Sequence, residues 1–382
     1  MLWSGLAAAG AALWLCVLVL PWQPWRVRER LEPDPAENGA DVSLEDVTVL
    51  IPARDEAAVI GDTLAALGRQ GRSLRVVLVD DRSGDETAEA ARQAAPAALT
   101  LDVHAGAPLA EGWTGKLWAL EQGRRRIETP LTLLLDADIT LRPGMIRALL
   151  ARKDESGAAL VSVMAALRMR GGWEKLLLPA FIFFFRLLYP FHLSNGPGRR
   201  VAAAAGGCVL IETAVLAEVG GFEAIRRALI DDCALARAVK EAGHRTWTGV
   251  SRGAESHRPY PTLGVVWRMV ARTAYTQLRY SPVLLLLCTL LMALMFWAPI
   301  AGLGGPLAGQ IAGGVGLVGM ALCYLPTVRY YRLFSAWALT MPLIGTLFLA
   351  MTWHSALRDW GGRRSEWKGR VYGRAPEGDR AA

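Results

Sequence analysis

Two stretches of this chain are almost free of charge, residues 2–22 and most of residues 282–353. A run of about 20 apolar residues is long enough to cross the hydrocarbon core of a bilayer as a helix. Between them, residues 29–174 carry the mixture of charged, apolar and glycine residues of an ordinary α/β protein. This uneven distribution, more than the 53% hydrophobic content itself, divides the chain into an anchor, a soluble body and a membrane tail. The expected boundaries are a transmembrane anchor over 1–25, a linker over 26–46, an α/β body over 47–257, an interfacial segment over 258–281, a membrane region of two or three spans over 282–355 and a basic cytoplasmic tail over 356–382.

The net charge of +7 does not point to nucleic acid, because the basic residues gather beside the apolar stretches: Arg26, Arg28 and Arg30 after the first, Arg363, Arg364, Lys368 and Arg370 after the last. Anionic headgroups and the positive-inside bias account for that placement. The first segment has no basic residue ahead of its apolar run, so it reads as an uncleaved anchor rather than a secretory signal, with Arg26 onward in the cytoplasm. Three spans near 283–303, 307–325 and 334–353 would carry the basic C-terminus outside, so either one segment is re-entrant or the bias fails here. The five cysteines form no CxxC pair, which indicates neither a disulfide framework nor a zinc site.

Within the body, short β-branched runs alternate with helical patterns. Strands are expected over 47–51, 74–79, 99–103, 131–135 and 158–164, with helices over 60–67, 86–95 and 116–126 between them. Such alternation implies a mostly parallel sheet that binds ligands at the carboxyl ends of its strands. Residues 173–191 are aromatic-rich but broken by Arg186, which suits a helix lying in a membrane interface, and 259–280 reads the same way.

The acidic residues fall where such a sheet would gather them. Asp55 and Glu56 follow the first strand, Asp80 and Asp81 end the second, and Asp136 and Asp138 end the fourth. The loop after the first strand, Pro52-Ala53-Arg54-Asp55-Glu56, has no glycine, which argues against a dinucleotide-binding dehydrogenase. Two carboxylates at i and i+2 can hold a hard divalent cation that also binds diphosphate oxygens; alone, the same pair could merely cap a loop ahead of Pro143. Lys116 follows Gly115 without the Ser/Thr of a P-loop, leaving a diphosphate-facing lysine or a solvated helix start. Asp231 and Asp232 open a helix, where acids commonly complement the dipole; beside a metal-diphosphate site one of them can take a proton from an acceptor hydroxyl. The five histidines are scattered and form no HExxH, and no GxSxG is present.

Taken in order, Ile51-Pro52-Ala53-Arg54-Asp55-Glu56, Val79-Asp80-Asp81-Arg82-Ser83-Gly84-Asp85, Gly115-Lys116, Asp136-Ala137-Asp138 and Asp231-Asp232-Cys233-Ala234-Leu235 resemble the family 2 glycosyltransferases with the GT-A fold. Gly112-Trp113-Thr114-Gly115-Lys116-Leu117-Trp118-Ala119 and Arg272-Thr273-Ala274-Tyr275-Thr276-Gln277-Leu278-Arg279-Tyr280 look in particular like hopene-associated glycosyltransferases. The resemblance implies a Rossmann-like α/β domain and an inverting enzyme of a bacterial inner membrane, its catalytic domain cytoplasmic and its partners a nucleotide-diphosphate sugar donor and a lipid acceptor. Pro52, Ala53, Arg54, Asp55, Glu56, Asp80, Asp81, Lys116 and Asp136 would bind the donor. Asp138 with Asp136 would hold Mg²⁺ or Mn²⁺, and Asp232, beside Asp231, would be the base. Gly206, Gly207, His257, Arg272, Gln277 and Arg279 are expected on the acceptor side. Gln277-Leu278-Arg279-Tyr280 stands where processive relatives carry Gln-x-x-Arg-Trp, which weighs against polymer synthesis. A processive synthase and a catalytically silent nucleotide-binding scaffold remain the alternatives. Trp367-Lys368-Gly369-Arg370-Val371-Tyr372 resembles the tail motif of sphingolipid and carotenoid-lipid glycosyltransferases, which favours a re-entrant segment.

Overall fold

The computed structural model describes residues 2–34, 42–362, 365–367 and 370–372, with no side chains beyond 362. The basic tail beyond 362, apart from the backbone at 365–367 and 370–372, and the side chains of the Trp367–Tyr372 motif therefore lie outside the described residues. The chain forms two compact units, one of Glu29–Arg168 and Tyr189–Pro259, the other of Met1–Arg28, Met169–Leu188 and Tyr260–Ala382.

The elements run α1 (Leu2–Val19), β1 (Val47–Ala53), α2 (Ile60–Leu67), β2 (Leu74–Asp80), α3 (Thr87–Ala94), β3 (Leu99–Ala105), α4 (Gly115–Arg124), β4 (Leu131–Leu135), β5 (Ile139–Leu141), α5 (Met145–Ser156) and β6 (Leu160–Ala166). They continue with α6 (Gly172–Leu188), α7 (Phe191–Asn195), β7 (Cys208–Glu212), α8 (Thr213–Glu218), α9 (Asp231–Glu241), β8 (Thr246–Ser256), α10 (Leu263–Ala271) and α11 (Ala274–Gln277). The last helices are α12 (Pro282–Met292), a π-helical turn over Ala293–Trp297, α13 (Ala298–Leu303), α14 (Leu307–Tyr330), a 3₁₀ turn over Ser335–Thr340 and α15 (Met341–Trp360).

The first unit is built on an eight-stranded sheet of order β3-β2-β1-β4-β7-β6-β8-β5. β3, β2, β1 and β4 are mutually parallel, as are β6 and β8, whereas β7 runs antiparallel to β4 and β6 and β5 antiparallel to β8. A sheet covered on both faces needs strands that are apolar on both sides, and β1 is buried along its whole length. Val49 and Ile51 pack with Leu64, Leu67 and Leu149 on one face. Leu50 packs with Leu117, Leu120 and Leu235 on the other. A Cβ on Gly123 would stand 2.2 Å from Leu50 Cδ1, so a glycine there lets α4 press against β1.

The expected parallel strands are all present, but the sequence pattern gave no sign of β5, β7 or β8. β8 is disguised by its glycines. A Cβ on Gly249 would lie 2.9 Å from the Glu29 carbonyl, and one on Gly253 would lie 2.4 Å from Pro33, so neighbouring backbone crosses where side chains would otherwise stand.

The second unit is helical. Four of its segments are long and apolar enough to cross a membrane: Leu2–Val19, Pro282–Leu303, Leu307–Tyr330 and Ser335–Trp360. α1 packs on α13 and α14 through small residues. A Cβ on Gly10 would lie 2.4 Å from the Leu294 carbonyl, one on Gly302 2.5 Å from Ala7, and one on Gly313 2.3 Å from the Pro299 carbonyl. Helices that approach this closely gain van der Waals contact without needing a hydrophobic drive. Where the π-helical turn ends, the Ala298 amide donates to the Ala293 carbonyl five residues back, and Pro299 has no N–H to continue that register. At this turn the Trp14 indole donates to the Met295 carbonyl at 2.9 Å. α6, the aromatic-rich segment, buries Leu177, Leu178 and Phe183; its Phe183 and Phe184 rings meet Tyr324 and Phe348 at 5.3 and 4.8 Å.

Candidate active site

The parallel strands end together, and the loops that follow them hold one another in place. After β1 and β2, Arg54 donates to the carbonyls of Asp81 and Arg82 at 2.6 and 3.1 Å. The Asp55 amide donates to Ser83 Oγ at 3.0 Å, and the Gly84 amide to Asp55 Oδ1 at 2.6 Å. Asp80 Oδ1 accepts from the Ser83 amide at 3.2 Å and from the Ser83 hydroxyl. Asp55 and Arg82 adopt left-handed backbone, φ 51° and 55°, a conformation that short local hydrogen bonds make tolerable. Asp81 is fully buried beneath this lacing. The two loops therefore form a preshaped acidic rim.

At the end of β4 the paired carboxylates part company. Asp136 Oδ1 receives Lys116 Nζ at 2.8 Å. Asp138 is nearly buried, and its Oδ2 accepts from Ser256 Oγ at 2.9 Å and Arg258 Nε at 3.2 Å. Arg258 also donates to Glu56 Oε1 at 2.9 Å, tying the loop after β1 to the loop after β4. His257 lies alongside, its Nε2 2.7 Å from Thr140 Oγ1 and its amide donating to the Asp138 carbonyl at 2.9 Å.

Lys116, in the first turn of α4, also reaches Asp231 Oδ2 at 3.5 Å. Burial opposes its charge, yet Asp136, Asp231 and Asp232 hold the ammonium well above the ordinary lysine range. Asp232, in the first turn of α9, accepts from the Gly206 amide at 2.7 Å and from the Cys233 amide at 2.8 Å. Burial, reinforced by Asp231, pushes its carboxyl up to about 6 against the pull of these amides and of Lys116. That value suits a group that must take up a proton near neutrality. Pro52, Lys116, Asp136, Gly206, Asp231 and Asp232 line one cleft, whose apolar floor includes Leu117, Leu120, Phe222 and Ile225. Cys208, its thiol pushed up to about 12 by burial and by Asp136, is no candidate nucleophile.

Comparison with known proteins settles the family. Residues 45–276, more than half of the chain, match the family described as glycosyltransferase like family 2. The chain belongs to that family and is a glycosyltransferase. Its fold is that of the mannosyltransferase PcManGT from Pyrobaculum calidifontis in complex with GDP-Man and Mn²⁺, which is 19% identical, with a TM-score of 0.53 over 94% of this chain and 99% of that one. A 99-residue stretch is 29% identical to the 4,4'-diaponeurosporenoate glycosyltransferase of Staphylococcus haemolyticus, spanning 25% of this chain and only 25% of the length of that relative.

In this glycosyltransferase, Asp136 Oδ2 and Asp138 Oδ1 accept no hydrogen bond among the described residues. No cluster of three His, Cys, Asp or Glu side chains able to hold a metal occurs among the described residues either. A donor set of two carboxylate oxygens fits a hard cation that completes its shell with diphosphate and water, and does not fit a metal caged by protein alone.

Of the residues expected at the site, Pro52, Lys116, Asp136, Gly206, Asp231 and Asp232 share the cleft, and Glu56 and Asp138 meet through Arg258. Gly207 closes the space beside Asp136: its carbonyl accepts the Asp136 amide at 3.1 Å, and a Cβ on it would stand 2.7 Å from Ile139 Cδ1. Arg272, Gln277 and Arg279 belong to the helical unit, where Arg279, φ 51°, turns the chain between α11 and α12. Arg258 and Ser256 escaped the sequence reading, although Arg258 follows directly on His257.

Proposed function

We propose that this glycosyltransferase moves one sugar from a nucleoside-diphosphate sugar to a lipid hydroxyl, with inversion, at the cytoplasmic leaflet of a bacterial inner membrane. The observation that carries the reading is Asp232, half-buried, held by two backbone amides and sharing a cleft with the Lys116–Asp136 pair. Asp232 takes the proton of the acceptor hydroxyl as that oxygen bonds to the anomeric carbon, and the bond from that carbon to the diphosphate breaks with its electron pair on the departing nucleoside diphosphate. The laced loops Pro52–Glu56 and Asp80–Asp85 receive the nucleoside, and the two amide contacts keep Asp232 from rotating away. Lys116 supplies positive charge beside the departing group. Asp136 and Asp138 would hold Mg²⁺ or Mn²⁺, which when bound neutralises charge on the diphosphate.

Four helices long and apolar enough to cross a membrane and arginines after α1 support the inner-membrane placement. The hopene-associated sequence pattern supports a hopanoid-related acceptor. The test is transfer of radiolabel from UDP-glucose or GDP-mannose into extractable lipid by the whole chain in nanodiscs. Asp232→Asn should lower kcat by roughly 10²–10⁴-fold while leaving nucleotide binding intact; a fully active variant rejects Asp232 as the base.

A further inference from the structure

α4 carries Lys116 at one end and a buried ion pair at the other. Glu121 is only 2% exposed, yet it accepts from Arg124 Nε at 2.9 Å, Arg124 Nη2 at 2.7 Å and Arg125 Nε at 3.3 Å. A fourth donor is not on α4 at all: the Phe222 amide donates to Glu121 Oε2 at 3.2 Å. Phe222 begins the segment that runs without regular structure up to Asp231 at the start of α9. The same segment is tied a second time to α4, where the Thr114 amide donates to the Arg226 carbonyl at 2.9 Å. Lys116 makes the third tie, to Asp231 itself.

The residue ahead of Phe222 shows how closely the chain is laid on the ion pair. Gly221 has φ 63°, and a Cβ there would stand 2.7 Å from Arg124 Nε and 2.9 Å from Glu121 Oε2. Only glycine combines that backbone with that clearance. Phe222 and Ile225 then line the same cleft as Asp231, Asp232 and Lys116. Glu121 does not line it, so its contribution is transmitted through the segment it holds.

We infer that Glu121 is a positioning residue for sugar transfer, fixing residues 222–230 through the Phe222 amide and thereby setting where Asp231 and Asp232 stand against Lys116. The inference rests on the sugar-transfer reading above. A displacement of about 1 Å at a reacting group can cost on the order of 10²-fold in rate, whereas the loops that receive the nucleoside are held by hydrogen bonds to each other.

The test compares the wild type with Glu121→Gln and with Thr114→Pro in the full chain. Thr114 has φ −82°, which proline tolerates, so this variant removes one amide donor without disturbing the ion pair. GDP and UDP are titrated calorimetrically with Mn²⁺ to count competent sites, and lipid transfer is expressed per site. Glu121→Gln should lower turnover per site by about 10- to 100-fold with nucleotide affinity within about threefold of wild type; Thr114→Pro should lower it in the same sense by a smaller factor. Undiminished turnover per site in both variants overturns the inference, and so does a fall in nucleotide affinity matching the fall in turnover. If Glu121→Gln does not fold, Thr114→Pro alone decides. A wild type that binds nucleotide but transfers no sugar rejects the parent reading instead.

Discussion

Replacing Lys116 by methionine should move the acid limb of the pH profile upward. Asp232 acts as a base only when ionised, so activity is lost as pH falls through its pKa, about 6 with Lys116 in place. An alanine Cβ at Gly206 would lie 3.4 Å from both Asp232 Oδ2 and Lys116 Nζ, so the two charges are within about 7 Å of each other. At that distance, with an effective dielectric near 20, a unit charge is worth roughly 2 kcal/mol. At about 1.4 kcal/mol per pH unit this is roughly one and a half units, trimmed to about one by water around the lysine, whose side chain is 22% exposed. Methionine keeps the length and the packing against the cleft floor while removing the charge. The assay is kcat against pH at saturating donor and fixed Mn²⁺, which holds the cation's own field constant between the two proteins. An unchanged midpoint, or one that moves to lower pH, refutes the assignment of Lys116 as the counter-charge of Asp232.

Asp138→Asn should raise the Mn²⁺ concentration needed for half-maximal transfer by at least about tenfold, read by titrating the metal back into chelator-treated enzyme; an unchanged requirement removes Asp138 from the metal-holding pair. Trp14→Phe should destabilise the protein in detergent by roughly 1 kcal/mol, because the Met295 carbonyl loses its donor in apolar surroundings. An unchanged unfolding midpoint of the Trp14→Phe variant in detergent would exclude that bond as a stabilising contact.

The sheet and the acids at its rim were legible because β-branched runs ending in Asp or in Pro-Ala-Arg-Asp are local signals, each complete within a few residues. Lys116 could be seen only as a lysine after a glycine; its partners Asp136 and Asp231 come from other elements and are joined to it by the fold. Arg258 and Glu121 were invisible for the same reason. An arginine after a histidine and a glutamate inside a helix look solvated until Asp138, Glu56 and the Phe222 amide are brought to them. β8 was missed because Gly249 and Gly253 answer to backbone that crosses from residues 29–33. In the helical unit the apolar runs were plain, whereas the seating of the first helix against the last ones includes an indole-to-carbonyl bond between Trp14 and Met295, and hydropathy carries no trace of it.

The bond between Trp14 and Met295 joins positions 281 residues apart in the chain. The ribosome delivers the indole long before the carbonyl it serves. Until residue 295 has been made, that donor has no such carbonyl to meet, whereas the sheet has all of its strands once Ser256 has emerged. The first helix can therefore find α13 and α14 only after every strand of the sheet has been made, and truncation between Ser256 and Met295 would leave a chain with a full set of strands but without the helices on which α1 packs.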